Sequence, residues 1–145
     1  IADDKAIKFG NDQDATIEYD ENGTDRLIIA GSQVTFGKSV LGSAQTANAT
    51  GNTTLDFATY QNFLLTATGN VTLVNPSTET VGQSGFIVIK QDGTGSRTLS
   101  IGTQYVTVGD GTYTLSTAAA AIDLIPYVVQ ADGVILLGNP SLAFA

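Results

Sequence analysis

The sequence predicts an all-β protein: an antiparallel β-sandwich or jelly-roll-like body, preceded by a small N-terminal β-meander and an extended linker arm. Three observations carry that reading. From Thr54 onward, short apolar runs recur at about the 8–12-residue spacing of sandwiches and barrels rather than of βαβ units. The runs are divided by turn residues: Thr68-Gly69-Asn70, Asn75-Pro76-Ser77, Asp92-Gly93-Thr94-Gly95, Gly109-Asp110-Gly111 and Ala131-Asp132-Gly133. Twenty threonines, with few leucines at helical spacing, suit a pleated surface better than a helix face.

Residues 1–36 read as the N-terminal β-element. Ala6–Phe9 and Ala15–Tyr19 alternate apolar with polar, the period of half-buried strands, around a turn at Gly10-Asn11-Asp12. Asn22-Gly23 is a strong hairpin signal and leads into Arg26-Leu27-Ile28-Ile29, which completes a three-stranded meander. A brief strand is predicted at Gln33–Phe36. Residues 37–52 are Gly, Ser, Thr, Ala and Asn in the main, which predicts a flexible linker or arm.

The body, 53–145, is predicted to hold strands at Thr54–Phe57, Phe63–Ala67, Val71–Val74, Phe86–Gln91, Arg97–Ser100, Gln104–Val108, Thr112–Leu115, Ile122–Gln130 and Val134–Leu137. Ser116–Ala121 is the one run that could form a helical turn, and it reads more simply as a close-packed strand entry where small residues let two chains approach.

Composition removes much chemistry. The 145 residues include no His, Cys, Met or Trp, so imidazole or thiol nucleophile systems, His/Cys zinc sites and disulfides are excluded. Fourteen acids against six bases give a net charge of −8, and the few cations are dispersed; no nucleic-acid or anionic-membrane partner is expected. The charge is uneven. Residues 1–31 hold eight acids and three bases, a balance of −5, and the remaining 114 residues hold six acids and three bases, a balance of −3. A body with so little charge, in a chain of mean hydropathy +0.13, suggests that part of its surface is covered by other subunits.

Few residues qualify as a site. Asp12, Asp14 and Asp20 are weak oxygen ligands for a hard cation, but the run from Asp20 to Asp25 departs from calcium-loop spacing, with Thr24 where a ligand belongs, so turn chemistry accounts for them and no metal is expected. Gly93-Thr94-Gly95-Ser96 lacks the Lys-Ser/Thr ending of a phosphate loop and reads as a hairpin. Asp92, Asp110 and Asp132 sit before glycines in turns, which leaves few acids for a catalytic pair; neither an enzyme nor a cofactor is expected. Strand-spaced aromatics such as Tyr105 and Tyr113 offer either core or a sugar-contact surface.

Two stretches carry a resemblance. Lys5-Ala-Ile-Lys-Phe-Gly through Tyr19-Asp20, closing with Thr24-Asp-Arg-Leu-Ile-Ile, resembles a β-element met in tail-fibre and other virion proteins of tailed bacteriophages. Phe63 through Leu73, with its Thr68-Gly-Asn-Val-Thr-Leu, and Gly85 through Leu99, with its Gln91-Asp-Gly-Thr-Gly-Ser-Arg-Thr, are similar to a β-sandwich module of phage fibres and capsid-surface proteins.

The resemblance implies a homotrimer. An apolar body, the patch Ala118, Ala119, Ala120 and Ala121, and the apolar end with Leu142 and Phe144 agree with it as subunit-interface residues. The function expected is capsid decoration, a cement protein clamping adjacent capsomers, with the major capsid protein or other virion proteins as partners. The alternative is a receptor-binding tail-fibre or head-fibre domain that recognises host surface glycans through Tyr105 and Tyr113. Either places the protein on the outer surface of the virion. The start Ile-Ala-Asp-Asp, without a basic or apolar leader, fits synthesis in the host cytoplasm without a signal peptide.

Overall fold

The computed structural model describes residues 6–12, 14–20 and 26–144. The chain divides into two compact units, residues 1–40 and 41–145.

The first unit is the meander. Strands β1 (Ile7–Phe9), β2 (Ala15–Asp20) and β3 (Arg26–Ala30) pair antiparallel in the order β1-β2-β3. The register aligns Ile7, Ile17 and Ile29 across the sheet, and sets Phe9 beside Ala15 and Tyr19 beside Leu27, so one face is wholly apolar. The Asn22-Gly23 turn lies outside the described residues; the strands on either side of it pair as a hairpin requires, Asp20 opposite Arg26. Gln33–Phe36 forms no strand.

The second unit is all-β and sandwich-like, as expected, with a difference in pairing. Its strands are β4 (Ala44–Thr53), β5 (Asn62–Leu73), β6 (Ser84–Gln91), β7 (Leu99–Ile101), β8 (Tyr105–Val106), β9 (Ile122–Ala131), β10 (Val134–Leu137) and β11 (Ser141–Phe144). They form one curled sheet in the order β4-β5-β6-β9-β10-β8, with β7 on β5 and β11 on β9. Four pairings are parallel (β4·β5, β5·β6, β5·β7, β10·β8) where the sequence predicts an antiparallel body. The reason is that a period-two pattern fixes which face a side chain takes and is blind to strand direction.

The predicted arm is corrected too. Residues 44–53 of the 37–52 segment and its boundary are β4, a ten-residue edge strand. Its inward positions hold Ala47 and Ala49, small enough to lie against β5, while its polar residues stay largely exposed. Residues 54–57 and 112–115 are also not strands. They cross the open side of the curl and drop Leu55, Phe57 and Leu115 into the core, with Tyr113 packed against it.

The core is bounded by alternate residues of the curl: Phe63, Leu65, Ala67, Val71 and Leu73 of β5, Ile87 and Ile89 of β6, Ile125, Tyr127 and Val129 of β9, Ile135 and Leu137 of β10. Phe57, Phe63 and Tyr127 form an aromatic cluster with centroids 4.8–5.9 Å apart, and Tyr127 Oη donates to the Gln61 carbonyl at 2.6 Å. Burial pushes the Tyr127 phenol up to about 12.

The ends of the curl are stitched together by the turn 102–104 between β7 and β8. Gly102 N–H donates to Leu73 O at 2.7 Å, and Ile135 N–H to Gln104 O at 2.8 Å. Asn75 serves both sides of that turn, its Oδ1 accepting from Gln104 N–H and its Nδ2 donating to Thr103 Oγ1, each at 3.0 Å. A Cβ on Gly102 would collide with the Asn75 side chain, so glycine is required at this closure.

Candidate functional site

The parallel strands β4, β5 and β6/β7 turn the same corner, and each does so with more chain than the last. In β4 one residue, Thr50, separates the positions paired to β5 at Ala67 and Val71. In β5 three residues, Thr68-Gly69-Asn70, make the bend; the sequence suggests a turn between two strands, and the structure keeps them as one. After β6 the corner takes the seven residues from Asp92 to Thr98 before β7 resumes on β5. The predicted hairpin at Gly93–Ser96 is therefore a corner crossing, because β6 and β7 do not pair with each other; both pair with β5. The two motifs of the second resemblance are these bends, and they meet: Asn70 Oδ1 accepts from Thr98 N–H at 3.2 Å.

The wide corner is held by its own side chains. Gln91, 1% exposed, bridges its ends: its Oε1 accepts from Arg97 N–H at 2.8 Å, and its Nε2 donates to Arg97 O at 3.0 Å. Asp92 Oδ1 accepts from the N–H groups of Thr94 and Gly95, both at 2.9 Å, a local turn that Asp is suited to make. Its Oδ2 takes the Arg97 guanidinium through Nε at 3.2 Å and Nη2 at 2.7 Å. The arginine and the backbone donors together lower the Asp92 carboxyl from 3.8 to about 2.

A depressed folded-state pKa means that the unfolded chain binds the proton first as the solution is acidified, so this contribution is present above about pH 4 and fades as pH falls through about 2. Asp92→Asn keeps the Oδ1 acceptor and removes the charge. The urea midpoint of the variant should lie below the parent's at pH 5, and the gap should close between pH 4 and pH 2. A gap independent of pH would show that the ion pair contributes nothing.

The segment after Leu115 covers this corner. Ser96 N–H donates to Thr117 O, Ala120 N–H to Asp92 O and Gln91 N–H to Ala121 O, at 2.8–3.0 Å. Residues 116–121 are not the expected strand entry but irregular chain with a bend and turn at 118–120, since β9 begins only at Ile122; their small side chains do allow close approach, and the segment they approach is a loop of the same chain. Behind them Asp123, fully buried, accepts from Ser116 N–H at 2.7 Å, Ser116 Oγ at 2.6 Å and Ala143 N–H at 2.9 Å. One carboxylate thus ties three segments.

The predicted interface residues are brought together in large part. Ala118, Ala119, Ala120, Ala121 and Phe144, with Ala143, line one shallow pocket of about 310 Å³. Ala118–Ala120 are exposed on their outer side and Phe144 is 50% exposed, whereas Ala121 is buried and Leu142, 49% exposed, is not among the lining residues.

The proposed glycan contacts fare differently. Tyr105 is 4% exposed, with its hydroxyl toward Val74 O, and burial raises its phenol pKa; a buried ring offers no face to a sugar. Alternation along β8 gives its inward position to Tyr105 and its outward one to Val106. Tyr113 is half-buried, and its hydroxyl donates to the carbonyls of Leu137 and Gly138 at 3.1 and 2.7 Å. The weak metal candidates do not converge. Asp12 and Asp14 precede β2 while Asp20 is its last residue, which places Asp20 about 20 Å along the strand from Asp14. The remainder of that loop-like run, Glu21 to Asp25, lies outside the described residues.

Sequence reasoning missed the outer face of the curl. Leu64, Phe86, Val128 and Leu136 are 38–48% exposed, and Val88, Leu124 and Pro126 are half-buried. Its signal was present in Phe86-Ile-Val-Ile and Leu124-Ile-Pro-Tyr-Val-Val, runs apolar at every position, as in strands covered on both faces.

These features define a β-structural domain in which the distinctive sequence motifs shape corners of a coil. Residues 42–134 match the family model described as "Putative phage tail fibre C-terminal domain", and the chain belongs to that family. The match falls within the second unit, 41–145, and makes the protein a structural component of a bacteriophage virion. No curated protein and no solved structure matches the chain.

Proposed function

We propose that the chain forms the host-facing part of a tail fibre, its curled body presenting exposed loops to the cell surface. The carrying observation is the family match across most of the body, 42–134, to a tail-fibre domain. It favours the tail over the shell, so the expected role as a capsid cement gives way to its alternative. The geometry supports a part that must persist outside a cell: Asn75, Gln91, Asp92 and Asp123 tie loops to the sheet through side-chain hydrogen bonds. Recognition of a surface glycan then falls to exposed loop side chains other than Tyr105 and Tyr113.

The test is a phage carrying a nonsense mutation in this gene, grown without a suppressor. Particles with intact, DNA-filled heads that fail to adsorb to host cells support the proposal. Particles that adsorb normally but whose heads lose DNA on mild heating would return the role to the capsid.

A further inference from the structure

Among the described residues, two buried side-chain atoms have no hydrogen-bond partner, Glu79 Oε2 and Gln104 Oε1. Both are oxygens that accept and do not donate, one of a carboxylate and one of an amide. The amides of Gln83 and Gln91, by contrast, are in use: Gln91 holds both ends of the wide corner, and Gln83 Nε2 donates to the carbonyls of Phe57 and Tyr60 at 3.1 and 3.0 Å.

The two side chains meet at one residue of the β9–β10 turn. Glu79 Oε1 accepts from Gly133 N–H at 3.1 Å, and the Gln104 side chain lies so close to the same glycine that a Cβ there would stand 3.3 Å from Nε2. Gln104 is fixed through its backbone, its N–H donating to Asn75 Oδ1 at 3.0 Å and its C=O accepting from Ile135 N–H at 2.8 Å. Three connections, 74–83, 102–104 and 132–133, thus converge, and none supplies a donor to the two oxygens. Nor does the unit supply a counter-charge. Its two cations are Lys90 and Arg97. Arg97 is held by Asp92 at 2.7 Å, and Lys90 pairs with Ile122, at the opposite end of β9 from Gly133, about 30 Å along the strand.

We propose that Glu79 and Gln104 bind a hard divalent cation, for which calcium is the best match. A carboxylate oxygen kept from water without a partner is unfavourable, and a cation offsets its charge where a neutral water would not. The donor set is all oxygen, a carboxylate and an amide carbonyl, which is calcium's preference. Calcium also tolerates the irregular geometry that three loops supply, whereas magnesium demands a near-ideal octahedron. It approaches an oxygen to about 2.3–2.6 Å, closer than the roughly 2.8 Å of water, so it can serve atoms that solvent does not reach. With one carboxylate in the set, the expected affinity is that of weak extracellular calcium modules, a Kd of about 0.1–1 mM. The bound ion would pin the 74–83 connection to the β9–β10 turn. The inference rests on these side chains and not on the tail-fibre reading.

The test is calorimetric titration of the EDTA-treated full-length chain with calcium chloride, paired with thermal melts in calcium, magnesium or sodium chloride at matched ionic strength. Saturable binding with a Kd of about 0.1–1 mM is expected, with a rise in thermal midpoint of about 6 °C in about 10 mM calcium that neither other salt reproduces. Glu79→Gln should abolish both effects yet melt no lower than the parent in EDTA, because its amide can donate to Gln104 Oε1 and no charge is left without a partner. Asp110→Asn, at an exposed turn, should leave both effects unchanged.

Equal shifts in the three salts would mean that cations merely screen the net charge of −8, and a calcium response that survives Glu79→Gln would place the ion elsewhere; either overturns the proposal. Indifference to calcium overturns it as well. A parent that is indifferent to calcium and gains stability from pH 7 to pH 5 in EDTA would show a proton shared by the two oxygens instead. Should Glu79→Gln not fold, Gln104→Met, which removes the amide oxygen and keeps the side chain's length, must show the same loss of calcium response, and retention of that response would overturn the proposal.

Discussion

Asp123→Ala should lower the stability of the second unit by about 3 kcal/mol, read as a fall of about 10 °C in the thermal midpoint. The carboxylate is 0% exposed and receives three hydrogen bonds, from Ser116 N–H, Ser116 Oγ and Ala143 N–H, at 2.6–2.9 Å. Alanine leaves those donors beside a small void, and each buried donor without an acceptor costs about 1–3 kcal/mol unless water reaches it. Asp123→Asn keeps the shape and one acceptor oxygen but turns an amide N–H₂ toward one of the donors, so its loss should be about half as large. The two variants, measured by differential scanning calorimetry, separate lost hydrogen bonds from lost volume. An Asp123→Asn variant as stable as the parent, beside a destabilised Asp123→Ala, would mean that packing, not the acceptor, is what Asp123 supplies.

Gly95→Ala should cost about 2–4 kcal/mol, while Gly93→Ala, two residues away in the same corner, should stay within about 0.5 kcal/mol of the parent. Gly95 has φ +76°, a conformation unfavourable to L side chains, and a Cβ there would sit on the Thr117 carbonyl oxygen and 2.9 Å from Ala119 N. Both obstacles are backbone, so they yield only if the whole 117–121 cover lifts from the corner. Gly93 has no such φ, and a methyl group on its Cα would meet nothing within 4 Å. Urea denaturation of the pair compares one loop with itself. A comparable loss at both positions would show that the contact with Thr117 does not hold the corner in shape.

These effects also mark what the sequence made legible. The strands of the body's centre were readable because Phe63–Ala67, Phe86–Gln91 and Ile122–Gln130 put apolar side chains at alternate positions, and glycine or asparagine marked most of the bends. The direction of pairing was not, since alternation looks the same in parallel and antiparallel strands. β4 escaped because Ala44–Thr53 lacks the β-branched apolar residues by which a strand announces itself; it is placed by Ala47 and Ala49 fitting against β5.

The site was legible by halves. Ala118–Ala121 and Phe144 do converge, because Phe144 pairs with Ile122 immediately after the alanine run. Tyr105 misled because an aromatic on a strand has the same local sequence whether it points into the core or out of it. The larger outer face stayed hidden for a related reason: where both sides of a strand are apolar, as along β6 and β9, alternation does not say which side faces the core.

The central claim is that this structural domain belongs to the tail, and the most direct measurement is where it sits on the particle. Gold-labelled antibody raised against the purified chain and imaged on intact virions should mark the fibres, distal to the tail. Label distributed over the icosahedral shell, with bare fibres, would contradict the account and restore the capsid as the site of action.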